Sequence, residues 1–364
     1  MAAPQDHGQS PEALLLSQAP APTTDSKKQD GLWKRILPAI ITVVIFYFIF
    51  QRIPFDRFLA ALAGADYPRF FLLMIPNSVF YFCWDTLVLA FLMRWFHGPM
   101  RYRDLLPVRA VTYVVSLMNT HLARGAMAFY LTRQLRAPFF ELASTVMFLW
   151  LVELTHLGLW ATAGMVSFPW LMPEGVFWVP VGFVIFWVAF LSYVQLGFAP
   201  WRPLLAPFGR LFPRWRGRGQ VREWAILRTF REAAAKRYVQ FILLRAPMFA
   251  VALVLHYFAV RTFGMEIPLG RLVAFLPIIF MLASLPITVA HLGTTQAAWI
   301  FFFNDYAAES QLLAYSLASH LAYMLGRALL GLVFLPRAYE DLVGSYRRRI
   351  PYAQALEPAQ SPDS

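Results

Sequence analysis

Long apolar blocks alternate along this chain with short charged or Pro-rich breaks, and most blocks approach the length a helix needs to cross about 30 Å of hydrocarbon. Six stretches satisfy the requirement of about 20 mainly apolar residues: 32–50, 70–96, 141–168, 175–199, 238–260 and 309–336. Two further apolar stretches are broken in the middle. In 105–136 the interruption is Asn119, His121, Arg124 and Gly125; in 271–304 it is Pro286, Thr288, His291, Gly293 and Gln296. Each reads as two short helices around a polar tip, the shape of a re-entrant hairpin, which is tolerated at membrane depth only where protein or a wet cavity surrounds it. The expected fold is therefore an all-α polytopic membrane protein with six full spans and two re-entrant hairpins.

Charge refines that layout. With the N-terminus in the cytoplasm and each hairpin returning to its own side, the 32 Lys and Arg divide unevenly. Four precede the first span, seven surround the first hairpin, ten lie in 201–237 and four follow the last span. Against these stand Arg52, Arg57, Arg69, Arg261 and Arg271 outside, with Arg245 and Arg327 inside spans. This bias predicts cytoplasmic N- and C-termini. Residues 1–31 and 350–364 are expected to be disordered cytoplasmic tails flanking a membrane domain over 32–349, whose 200–238 segment is a basic cytoplasmic loop. The first of these tails lacks an apolar run before a cleavage site, so a signal peptide is not expected. A net charge of +12 could suggest nucleic acid. Because the basic residues sit between apolar spans, they are read as topology signals and anionic-lipid contacts, with no nucleic-acid partner.

The two broken regions also share residues at one offset. Arg103 and Arg271 lie 168 apart, as do Ser116 and Ser284, Thr120 and Thr288, Gly125 and Gly293, Glu141 and Glu309, and Gly158 and Gly326. Three spans separate equivalent points, so the two halves would be inverted, an arrangement used by transporters whose broken helices meet near the midplane.

Candidate chemistry is confined to polar residues at membrane depth. There is no Gly-rich phosphate loop, no zinc-type His pair and no nucleophile elbow, and with one cysteine, Cys83, neither an internal disulfide nor a Cys-based metal site is expected. No cofactor or metal is expected. A charge at a helix centre costs about 2.5–3.5 kcal/mol even on the lenient insertion scale, so such groups are paired or functional. Glu153 and His156 share a helix face, as do Arg245 and His256, and His320 and Arg327; Asp85 stands alone in its span. These charges would line or gate a cavity, or they would form packing pairs such as Glu153 with Arg327. The hairpin tips offer helix N-termini with free N–H donors, which suit a phosphate. Asn119, His121, Arg124 and Gly125 at the first tip, with Pro286, His291, Gly293 and Gln296 at the second, could converge on an anionic head group; alternatively they only satisfy the broken backbone.

The two tips read NTHLARGA and PITVAHLGTTQ. In Asn119, Arg124, Gly125, Pro286, Leu292 and Gly293 they resemble the transmembrane domain of the lysylphosphatidylglycerol synthase family, also called flippase-like domain proteins. The chain departs from that family's pattern at Leu122 (usually Pro), His291 (usually Gly), and Ala126 and Gln296 (usually acidic). The resemblance implies a multi-pass protein of the bacterial inner membrane that moves lipids or handles lipid-linked intermediates. No aminoacyl-transferase domain follows the last span, so lipid aminoacylation by this chain is not expected. The implied partner is an anionic phospholipid or a polyprenyl-phosphate lipid. The alternative from another class is a non-catalytic membrane subunit recruiting a lipid-modifying or glycosyl-transferring enzyme through Arg214, Arg216 and Arg218 of the basic loop.

Overall fold

The computed structural model describes residues 40–117, 119–171, 175, 178–196, 224–284 and 292–343. Both tails, the centre of the basic loop and the second tip, including Pro286, Thr288 and His291, lie outside these described residues. Helices and turns account for the architecture, with no strand among the described residues. In chain order the helices are α1 (Ile40–Arg52), α2 (Phe55–Ala63), α3 (Tyr67–Phe96), α4 (Tyr102–Ser116), α5 (Thr120–Leu135) and α6 (Phe139–Ser167). They continue as α7 (Trp178–Leu191), α8 (Arg228–Glu232), α9 (Ala235–Ala259), α10 (Leu269–Ala283), α11 (Thr294–Phe303) and α12 (Glu309–Val343).

Four helical stretches are long and apolar enough to cross a membrane: Tyr67–Phe96, Phe139–Ser167, Ala235–Phe263 and Glu309–Ala338. At 1.5 Å per residue, 30 residues reach about 45 Å, beyond the hydrocarbon thickness. The expected first and fourth spans are shorter as described, Ile40–Arg52 and Pro180–Gln195. The surface is compatible with a hydrocarbon surrounding. Leu72, Val166, Leu243, Leu329 and Val333 are exposed, whereas Asp85, Arg109 and Arg245 are buried. In water this distribution would be inside out.

Local sequence explains the element boundaries. Pro54, Pro138 and Pro268 stand immediately before α2, α6 and α10, where a missing N–H costs nothing. The Asp66 side chain caps α3 by accepting from Arg69 N–H at 3.2 Å. At the end of α5, Arg136 turns left-handed (φ 54°) and Pro138 prevents continuation.

The element boundaries recur at the offset of 168 seen in the sequence. α3 opens at Tyr67 and α9 at Ala235, α5 closes at Leu135 and α11 at Phe303, and α4 and α10 have the same length. Packing follows the same exchange: α4 lies on α12 as α10 lies on α6, α5 lies on α6 as α11 lies on α12, and α3 lies on α9. Two close crossings use glycine in equivalent roles. A Cβ at Gly164 of α6 would stand 2.8 Å from Ala274 Cα of α10, and one at Gly331 of α12 would stand 2.8 Å from the Ala110 carbonyl oxygen of α4.

Two buried apolar clusters divide the long helices near their middles. One contains Phe70, Met74, Leu157, Phe249, Leu253, Phe275, Trp299 and Tyr315. The other contains Leu89, Leu92, Phe148, Val152, Phe230, Phe241 and Met248. Residues 74 and 88 of α3, 152 and 157 of α6, and 248 and 249 of α9 mark the change from one cluster to the other. Between them α3 carries the buried polar residues Asn77, Asp85 and Thr86, and Phe82 of a small third apolar cluster with Ala110 and Tyr113. At the far end of the second cluster, His97, just past α3, shares a 2.7 Å hydrogen bond with Thr145 of α6, which in turn contacts Thr229 of α8. Burial, and secondarily the Arg228 guanidinium, hold the His97 imidazole down at about 4, so it is neutral at neutral pH.

Gly164→Ala and Gly331→Ala are expected to lower unfolding stability in detergent by about 1–3 kcal/mol each, because backbone stands where the methyl would go. Gly125→Ala, with open space around its Cβ position, is expected to be neutral or to stabilise by up to about 1 kcal/mol through helix propensity. Thermal or denaturant melts of the three variants check the contrast.

Candidate functional site: a charged cavity between the two cores

Asn77 and Asp85 line a cavity of about 310 Å³. Its wall draws on α3, α4, α5, α6, α9, α10, α11 and α12. Four guanidiniums face it, from Arg109, Arg124, Arg245 and Arg327, against two carboxylates, Asp85 and Glu153. Three imidazoles, of His156, His256 and His320, complete the ionisable lining.

Asp85 is the hub. Its Oδ1 lies 3.2 Å from Arg245 Nη1 and its Oδ2 lies 3.2 Å from Arg109 Nη1. The Tyr113 hydroxyl donates to Oδ2 at 3.2 Å, and Arg109 Nη2 donates to the Asp85 carbonyl at 3.0 Å. Arg245 reaches onward through Nη2 to Glu153 Oε1 at 2.6 Å. Glu153 is the middle residue of α6, so this chain joins α4, α3, α9 and α6 near the middles of the long helices. Burying such ions is costly, and the multiple contacts at Asp85 offset that cost.

The other two arginines differ. Arg327 lies over the Tyr113 ring at 3.8 Å and the Tyr323 ring at 4.8 Å, and Arg124 lies over Trp150 at 4.4 Å. Neither has a carboxylate within 4 Å among the described residues. Ring faces hold a guanidinium in place without neutralising it, so both remain available to an incoming anion. Around them stand the hydroxyl-bearing residues Thr112, Ser116, Ser284, Thr295, Ser316 and Ser319.

The structure brings most of the expected charged residues together. Arg124, Glu153, His156, Arg245, His320 and Arg327 all line this one cavity. Their pairing differs from expectation in two respects. Glu153 binds Arg245 and not Arg327, and Asp85, which looks solitary along its helix, holds two arginines. The histidines are anchored: Trp160 Nε1 donates to His156 Nε2 at 3.0 Å, and His256 Nδ1 lies 2.6 Å from the Tyr315 hydroxyl.

The tip residues divide. Asn119 caps α5, its Oδ1 accepting from His121 N–H at 2.8 Å and Leu122 N–H at 3.0 Å. His121 is exposed beside Arg124, with 3.3 Å between Nδ1 and Nη1. Gly293 (φ 91°) opens α11, and Gln296 Oε1 accepts its N–H at 2.6 Å. Asn119, His121, Gly125, Gly293 and Gln296 are absent from the cavity wall. At the tips Asn119 Oδ1 and Gln296 Oε1 accept from backbone N–H groups, Gln296 Nε2 is buried without a partner among the described residues, and Arg124, one turn further along α5, reaches the cavity.

Sequence reasoning missed Arg109, counted among the cytoplasmic charges, together with Asn77, Tyr81, Tyr113 and Tyr323. The available signal for Arg109 was its position inside the apolar run 105–116, one face away from Asp104. No group of three metal-ligating side chains converges among the described residues. Comparison with protein-family models and with curated proteins finds no match.

Asp85→Ala would leave Arg109 and Arg245 facing one another without their shared carboxylate. It is expected to cost about 3–5 kcal/mol of stability, read as a large drop in melting temperature or loss of the monodisperse species in detergent. Arg124→Ala strands no carboxylate and is expected to cost no more than about 1–2 kcal/mol, the worth of its ring contact.

Proposed function

We propose that this protein is a flippase-like integral membrane protein that binds the anionic head group of a phospholipid or polyprenyl-phosphate lipid in the charged cavity and carries it across the bilayer. The observation that carries the reading is four guanidiniums against two carboxylates around one cavity between membrane-length helices, with Arg124 and Arg327 resting on aromatic rings and no carboxylate within 4 Å of either among the described residues. An excess of positive charge where hydrocarbon surrounds the protein favours an anion that arrives with its own apolar chain.

The reading includes a topology. α1 and α7 complete six spans, α4–α5 and α10–α11 are re-entrant hairpins entering from opposite sides, and residues 67–135 with α6 repeat inverted as 235–303 with α12. Support comes from the recurrence of element boundaries at 168 residues, the exchanged packing partners and the Lys/Arg distribution. Two of the arginines counted as cytoplasmic, Arg109 and Arg124, line the cavity instead, and without them the bias keeps its sign. The termini are cytoplasmic in this reading, and the resemblance at the hairpin tips points to a bacterial inner membrane. Paired to Asp85 and Glu153, Arg245 and Arg109 hold the frame, while Arg124 and Arg327 are the phosphate partners.

Purified protein in proteoliposomes is expected to translocate labelled phosphatidylglycerol or a polyprenyl phosphate, and Arg124→Ala is expected to reduce the rate about tenfold or more, the loss of one charge-assisted phosphate contact. An unchanged rate in Arg124→Ala removes that residue from the site. No movement of either lipid by folded protein favours the recruiting-subunit alternative.

A further inference from the structure

A second concavity lies outside the first. It is an almost wholly apolar groove of about 450 Å³ on the seam between α3 and α9, lined by Pro76, Asn77, Phe80, Ala250, Val251, Val254 and Leu255. Asn77 also lines the central cavity, so the charged chamber and the apolar groove share a wall. The amide of Asn77 is buried, and its Oδ1 has no hydrogen-bond partner among the described residues. An orphaned buried acceptor at the boundary of two compartments calls for a polar group that the protein itself does not supply.

The seam is asymmetric for a reason visible in the repeat. Along one half, Trp84 Nε1 donates to the Leu244 carbonyl at 2.8 Å and the Tyr81 hydroxyl donates to the Met248 carbonyl at 3.2 Å, closing α3 on α9. At the offset of 168, the mate of Trp84 is Ala252 and the mate of Tyr81 is Phe249. Neither can donate such a bond, and alanine removes the bulk of an indole. The groove runs along Ala250, Val251, Val254 and Leu255 of α9, while the buried Ala252 between them faces the central cavity. Asn77 stands ten residues into α3, about 15 Å along its axis, a depth at which the surroundings of a span are hydrocarbon.

Resting on the reading of the central cavity as a head-group site, we propose that the α3–α9 groove is the lateral portal that holds the hydrocarbon chain of the bound lipid, with Asn77 at the junction of head and chain. The occupant is fixed by continuity. Asn77 lines both the cavity in which Arg124 and Arg327 stand and the apolar groove, whose outer side reaches the surface at the exposed Val254.

The test uses full-length protein in dodecyl maltoside, with radiolabelled dioleoyl phosphatidic acid and its dihexanoyl analogue as probes. Val254→Trp and Ala250→Leu fill the groove; Leu243→Trp, on an exposed face of α9 outside it, controls for adding an indole to the lipid-facing surface. The groove variants are expected to weaken dioleoyl binding at least about tenfold, the worth of a few buried methylenes, and dihexanoyl binding less than about twofold, with Leu243→Trp unchanged. Dioleoyl binding within twofold of wild type in both groove variants overturns the portal, as does an equal loss in Leu243→Trp. Failure of the underlying reading looks different: wild type would bind dioleoylglycerol, which lacks the phosphate, as well as it binds dioleoyl phosphatidic acid.

Discussion

Asp85 sits where α3, α4 and α9 come together and accepts from the guanidiniums of both Arg109 and Arg245. Few arrangements are more costly to build at the level where two apolar cores would otherwise meet, since each ion loses its water and only geometry restores the balance. Because Arg245 continues to Glu153 at the centre of α6, one chain of charge fixes the height of three long helices and the shorter α4 relative to each other. The two hydrophobic clusters stop on either side of this layer, and the cavity is the space that remains. A sequence that placed leucine at these positions would close the chamber and join the clusters into one core.

The same constraint separates framework from site. Arginines that meet carboxylates are neutralised and rigid; those that rest on aromatic rings are placed but not neutralised. Arg327 over Tyr113 and Tyr323, and Arg124 over Trp150, belong to the second kind. Tyr113 serves both, donating to Asp85 with its hydroxyl while its face carries Arg327. In a low-dielectric setting a guanidinium so held attracts an anion far more strongly than it would in water.

Much of this was legible in the sequence because lipid imposes a coarse rule. Apolar runs of membrane length announced α3, α6, α9 and α12, and the interruption at Asn119–Gly125 announced the turn between α4 and α5. Charges within apolar runs announced Glu153, Arg245 and Arg327 as residues that need a partner or a polar space, and all three line the one cavity. Pairing was not legible. Glu153 chooses Arg245 over Arg327, and Asp85 finds Arg109, because helix rotation and crossing angle decide which side chains meet, and one chain carries no record of either. At the tips a helix start inside protein needs its own donors satisfied, and Asn119 Oδ1 and Gln296 Oε1 accept from them, while Gln296 Nε2 is buried without a partner among the described residues.

Native mass spectrometry of the protein, equilibrated with equimolar phosphatidylglycerol and phosphatidylcholine and compared with Arg124→Ala/Arg327→Ala, tests the central claim most directly. The account predicts preferential retention of the anionic lipid by the wild-type protein and loss of that preference in the double variant, with the folded species intact because no carboxylate is stranded. Equal retention of both lipids by wild type, or an undiminished preference in the double variant, would contradict it.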